Sequence, residues 1–259
     1  MSEGAPKISI EGLAIAFGKN AVLRGVDLDL DAGRSLVVIG ASGSGKSVLL
    51  KCILGILRPD KGAIRIDGED ILRISERRRA RATAQIGMLF QGAALFDSLK
   101  VWENVAFRLL YSEQKKASAA RARAIECLAK VGLAPEVGEL SPSALSGGMQ
   151  KRVALARAIA AGPDVLFFDE PTTGLDPITA DVINSLISEQ VRALGATAVS
   201  ITHDMVSARK IADEVAMIHE GKIVWRGAAS ELDTTDNPMV RQFVEGRADG
   251  PIKMKMRKA

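Results

Sequence analysis

No run of apolar residues in this 259-residue chain approaches the roughly 18 to 20 needed to cross a bilayer. The longest candidates, Val165–Phe168 and Ala196–Ile201, are strand-sized. The opening residues Met-Ser-Glu-Gly-Ala-Pro-Lys lack the basic-then-apolar layout of a secretory leader. Both absences point to a cytosolic protein. Cysteine is nearly missing: Cys52 and Cys127, each within an apolar stretch of helical character, read as two core thiols. That excludes a disulfide scaffold or a thiolate metal centre. There is no repeat, no low-complexity tract, and no charge excess large enough to argue for nucleic acid, since the net charge is only +4. Positive charge is instead local, at Arg77, Arg78, Arg79 and Arg81 and again at Lys253, Lys255, Arg257 and Lys258. These read as a solvated face and a disordered tail, with anionic headgroups or a partner as the alternative.

What is present is an α/β pattern in a chain long enough to bury a substantial core. Lys7–Ala16 and Val22–Leu30 alternate apolar and polar residues around a turn at Gly18-Lys-Asn20. Ser35-Leu-Val-Val-Ile39 is a continuous apolar run, as a parallel strand buried on both faces requires. A glycine-rich loop and a helix from about Ser47 follow. Between about 92 and 150 Ala, Arg, Glu, Lys and Leu dominate, which predicts an inserted helical subdomain. Alternation then resumes with a strand at Val165–Phe168, a helix near Thr179–Leu194, a strand at Ala198–Thr202, and a hairpin around His219-Glu-Gly-Lys222. The expected fold is a mainly parallel α/β core with an antiparallel N-terminal part and that helical insertion.

The loop Gly40-Ala41-Ser42-Gly43-Ser44-Gly45-Lys46-Ser47, followed by Val48, fits the phosphate-binding pattern G-x-x-x-x-G-K-S. Its backbone N–H groups converge on phosphates, Lys46 supplies a cation, and the Ser47 hydroxyl suits Mg²⁺. The following helix aims its positive end at the same charge. Alone, the loop leaves kinases, GTPases and ATPases open. Asp169 and Glu170 end an apolar strand, where open α/β sheets place ligands. Asp169 suits Mg²⁺, and Glu170 suits a general base on the attacking water. In Leu145-Ser146-Gly147-Gly148-Met149-Gln150, Ser146 can cap a helix whose glycine-flanked N-terminus forms a second anion site.

With that last peptide the chain resembles the ABC-transporter ATPases, whose signature is LSGGQ or a near variant; the resemblance runs from about residue 7 to 245 and leaves 246–259 as a basic tail. Met149 departs from the usual glutamine but leaves Ser146, Gly147 and Gly148 intact. The resemblance implies a head-to-tail dimer in which one copy's signature completes the other's ATP and Mg²⁺ site. It implies further that Gln91 reaches the metal and the water, that Asp176 in Gly174-Leu-Asp-Pro177 belongs to a loop at the dimer interface, and that His203 holds the γ-phosphate near Glu170. Phe17 takes the place of an adenine-stacking tyrosine and keeps the π-face.

Two stretches, Met88–Val105 and Val240–Pro251, are similar to the ATPases that serve Mce-type lipid transporters such as the Mla phospholipid system. This implies an integral-membrane MlaE-like permease, a periplasmic MCE-type lipid-binding protein, and a peripheral position on the cytoplasmic face of the inner membrane. No nucleic-acid partner is expected. The alternatives are the ATPase of a small-solute importer, for example of polar amino acids, and more distantly a nucleic-acid-linked ABC ATPase.

Overall fold

The structure is a computed structural model that describes residues 5–253, so Lys255, Arg257 and Lys258 of the basic tail lie outside the described residues. Its antiparallel part comes first. Strands β1 (Ile8–Phe17) and β2 (Asn20–Leu30) pair around the Gly18-Lys19 turn, and β4 (Lys61–Ile66) and β5 (Glu69–Asp70) extend the sheet in the order β2-β1-β4-β5.

The second sheet has six strands in the order β10-β9-β3-β8-β7-β6, made by β3 (Ser35–Ile39), β6 (Ile86–Leu89), β7 (Val165–Asp169), β8 (Thr197–Ile201), β9 (Glu214–His219) and β10 (Lys222–Ala228). All neighbours run parallel except β9 and β10, which form the hairpin. The period-2 geometry of a strand explains why β3 reads as an unbroken apolar run. Leu36 and Val38 enter the core beneath the antiparallel sheet, while Val37 and Ile39 enter the core shared with the helices. Leu166 and Phe168 separate from Val165 and Phe167 in the same way.

Helix α1 (Lys46–Ile53) follows β3 and carries buried Cys52; α2 (Glu76–Ala84), which holds the arginine cluster, precedes β6. The helical insertion comprises α3 (Val101–Tyr111), α4 (Ala117–Lys130) and α5 (Gly147–Ile159), with Cys127 buried in α4. It is not a separate body, because Val153, Ala154 and Leu155 of α5 share one core with Leu166 and Phe168 of the sheet. Helices α6 (Pro177–Leu194), α7 (Met205–Ile211) and α8 (Pro238–Val244) complete the order. After α8 the chain folds back: buried Gln242 donates to the carbonyls of Arg247, Ala248 and Ile252 and accepts from the Ile252 N–H at 2.7 Å.

Candidate active site

In a parallel sheet, the loops after the strand C-termini share one edge. The strand order here puts the loops after β3, β7 and β8 side by side, with β8 between the other two. The loop after β3 is tightly built. Gly40 has φ 153°, and a Cβ there would lie 2.3 Å from the Ile218 carbonyl oxygen; Gly45, at φ 109°, would meet Leu23 at 2.8 Å. Only glycine fits both demands. Gly45 opens α1 with no side-chain cap and no acidic residue in its first turn, so the helix amides stay open to an anion.

Lys46 is 8% exposed, and its Nζ donates to the carbonyls of Gly40 at 2.7 Å and Ala41 at 3.1 Å. Burial pulls its pKa down, while the Glu170 and Asp169 carboxylates pull it back up. Ser44 is buried with a hydroxyl that finds no partner among the described residues, whereas Ser42, Gly43 and Ser47 face solvent and Ala41 and Val48 are half-buried.

At the end of β7, the Asp169 Oδ1 atom is buried and unpartnered among the described residues. Burial, and then the neighbouring Glu170, push the Asp169 carboxyl above its ordinary range. A buried, unsatisfied carboxylate oxygen is a hard donor of the kind Mg²⁺ takes, and the exposed Ser47 hydroxyl is another. Glu170 has φ 48°, a left-handed conformation that is costly for a residue with a Cβ and that clusters at functional sites. Its Oε2 accepts from Thr173 Oγ1 at 3.0 Å and lies 2.8 Å from His203 Nδ1. His203 itself is exposed just after β8, ahead of Asp204, which caps α7. Behind that cap, Ser207 links Asp204 to Asn184 of α6 and to Thr172.

The signature peptide lies on the surface. Ser146 caps α5 through the Met149 N–H at 3.3 Å, Ser146 and Gly147 are exposed, and Gly148 and Met149 are half-buried. A Cβ at Gly148 would lie 2.8 Å from Thr179 Cγ2, so the signature turn sits against the start of α6. Asp176 caps that helix through Ile178 and Thr179. Phe17, 49% exposed at the end of β1, and the exposed Gln91 side chain form no hydrogen bond to the residues around Glu170 among the described contacts.

A profile of the ABC transporter family matches residues 23–173. The chain is 40% identical to the intermembrane phospholipid transport system ATP-binding protein MlaF of Escherichia coli (strain K12) over 95% of this chain and 91% of that protein. It is also 40% identical to the probable ribonucleotide transport ATP-binding protein mkl of Mycobacterium tuberculosis (strain ATCC 25618 / H37Rv), over 98% of this chain and 71% of that one. Among solved structures, it resembles the ATP-binding cassette MJ0796 in a dimeric post-hydrolysis state with ADP and Pi, at 29% identity and a TM-score of 0.79 over 86% of this chain and 98% of that one. Another match is cbiO1 of Clostridium perfringens, part of the ABC transporter complex cbiONQ, at 28% identity and a TM-score of 0.81 over 94% and 96%.

The chain belongs to the ABC transporter family. It is the ATP-binding, ATP-hydrolysing subunit of an ABC transporter. Three polar residues of this ABC subunit escaped the sequence reading. Lys151, 5% exposed on α5, donates to the backbone carbonyls of Gln91 and, at 3.4 Å, Glu170. Arg157, two residues before the end of the same helix, donates to Ala93 at 2.6 Å and Ala94 at 2.5 Å, two alanines held at φ 60° and 49°. Asn104, fully buried on α3, accepts from the Phe96 N–H at 2.7 Å and donates to the carbonyls of Phe96, Leu99 and Lys100 at 3.1 Å. In sequence, a Lys or Arg on an amphipathic helix reads as a solvated face, and a lone Asn carries no pattern. The turn that Asn104 holds presents Phe96 stacked on Phe107, with ring centroids 4.6 Å apart, and Phe107 continues to Tyr111. Phe96 and Tyr111 are exposed at 45% and 59%, a sizeable aromatic surface beside the Gln91 loop.

Proposed function

We propose that this chain energises phospholipid transport across the bacterial envelope, working as a head-to-tail dimer on the cytoplasmic face of the inner membrane with an MlaE-like permease and a periplasmic MCE-type lipid-binding protein. The observation that carries the cargo is the match to MlaF, which is nearly end to end in both chains. In this reading the cassette spans 7–245, its helical subdomain about 92–150, and 246–259 is a basic tail. The aromatic surface of Phe96, Phe107 and Tyr111 receives the permease's coupling helix, which supports a role for Asn104 in holding that surface.

Within the site, Gly40 to Ser47 and Val48 hold the phosphates and Phe17 stacks on adenine. Glu170 takes the proton of the attacking water as general base. His203, touching Glu170 Oε2, orients that carboxylate and reaches the γ-phosphate. Ser47, Asp169 and Gln91 would hold Mg²⁺, which when bound neutralises charge developing on the phosphate oxygens. Ser146, Gly147, Gly148 and Met149 face the second copy's nucleotide, and Asp176 lies in the loop that crosses between copies. The dimeric state of the MJ0796 cassette supports this arrangement.

Affinity purification of the chain from its native membrane tests the cargo. Co-purification of a permease and an MCE-domain protein, with phospholipid in the complex, is the expected result. A soluble amino-acid-binding partner would sink the proposal, and ribonucleotide uptake by the reconstituted complex would favour the reading that the mkl match suggests.

A further inference from the structure

Helix α5 has two functional ends that face different ways. Its capped N-terminus, Ser146 to Gly148, is turned to the surface. One turn later, Lys151 points inward and forms no ion pair among the described residues. Its ammonium is spent on two backbone carbonyls, those of Gln91 and Glu170. Burial pulls its pKa down, and the fields of Asp169 and Glu170 oppose that.

Those two carbonyls belong to the residues that the site reading assigns to the metal and to the general base. At Glu170, the amine acts where the backbone is strained: φ is 48°, and the same carbonyl also accepts from the Thr173 N–H at 3.3 Å. The orientation of that peptide sets where the carboxylate points, toward Thr173 Oγ1 and His203. A charge-assisted donor on the carbonyl is a means of holding a conformation the residue would otherwise leave. Arg157 does the same for Ala93 and Ala94, so α5 grips the Gln91 loop at three successive points.

We propose that Lys151 is a positioning residue that couples the two nucleotide sites of the dimer: when the N-terminus of α5 engages the second copy's nucleotide, the Lys151 amine fixes Gln91 and Glu170 of its own chain in the hydrolytic arrangement. The inference rests on the assignment of Glu170, Gln91 and Ser146–Gly148 given above. It adds a reciprocal link, because a rigid helix that sets one site on contact with the other must transmit in both directions.

The test is steady-state ATP hydrolysis by the chain in complex with its co-purified permease against ATP concentration, with nucleotide affinity and melting temperature measured in parallel. Lys151→Met keeps the length and loses the donors. We expect kcat to fall by roughly tenfold or more, ATP affinity to stay within about twofold, and the Hill coefficient to drop toward one. Lys151→Arg, which keeps charge and donors, restores most of kcat and the cooperativity; Lys151→Leu, also without donors, is read in place of the methionine variant if that one does not fold. Unchanged kcat and cooperativity in Lys151→Met would overturn the proposal, as would a wild-type Hill coefficient of one. Equal losses in the Met and Arg variants, tracking their melting temperatures, would reduce Lys151 to packing. A wild-type chain that does not hydrolyse ATP would instead sink the site assignment beneath it.

Discussion

The His203 imidazole Nδ1 lies 2.8 Å from Oε2 of Glu170, joining the loops that follow two neighbouring parallel strands. The same Oε2 accepts from Thr173, so the carboxylate is held from two sides and only 13% exposed. A carboxylate held this way needs little reorganisation to act as the proposed base.

Glu170→Gln should therefore bind ATP with near-normal affinity and lose roughly 10²-fold or more of kcat, accumulating an ATP-bound dimer. His203→Ala should lower kcat with little change in affinity. Single-turnover hydrolysis together with light scattering reads both effects. Normal turnover in Glu170→Gln would remove it as the base.

Lys46→Ala removes the one buried cation of the phosphate loop and leaves the Gly40 and Ala41 carbonyls without their donor. A charge-assisted hydrogen bond contributes about 1.5–3 kcal/mol, so ATP affinity should fall by at least roughly tenfold. Titration with a fluorescent nucleotide checks it; tight binding in the variant would refute the phosphate-loop role.

Asn104→Ala should destabilise the fold by about 2 kcal/mol or more, because three carbonyls and one N–H of the 96–100 turn lose a buried partner. The variant should also weaken capture of the permease, since Phe96 sits on that turn. Urea denaturation followed by pull-down separates the two effects. A loss below a few tenths of a kcal/mol would show that the turn holds without it.

Cys52 is buried in α1, and burial pushes its thiol up to about 11; Cys127 is raised for the same reason. Thiolate is the reactive form, so neither should react with a maleimide at pH 8 until the chain unfolds. The linkage has a definite sign. Unfolded thiols lose their protons near their ordinary pKa while the folded ones keep theirs, so this contribution is intact below that range and is lost as pH rises toward the folded values. Melting temperature should decline above about pH 9, and Cys52→Ala should blunt that decline.

The family and the proposed site were legible in the sequence because the peptides that carry them are local. A strand, a glycine loop and a helix in succession set Gly40–Ser47, and a serine before two glycines sets the cap at Ser146. The strand at Ser35–Ile39, the helix ending at Leu194 and the hairpin turn at Glu220-Gly221 came out where the pattern placed them. Less was legible where pattern is weak. Strands β5 and β6 and the seven-residue helices α7 and α8 carry too few residues for a clear period, and β6 is fixed by its pairing with β7, far along the chain.

The sequence by itself determined which groups are proposed to meet a nucleotide, because the spacing within a loop decides which backbone amides and which lysine stand together. Only the tertiary structure decided how those groups are set against one another. Strand β8 enters between β3 and β7, and that long-range pairing carries His203 to Glu170. The burial of α5 turns Lys151 and Arg157 from surface charges into clamps on the backbone of Gln91, Glu170, Ala93 and Ala94. In the first case the strand order is set by pairing far along the chain; in the second, a charge buried away from water must find partners, and the fold alone determines which carbonyls are there to meet it.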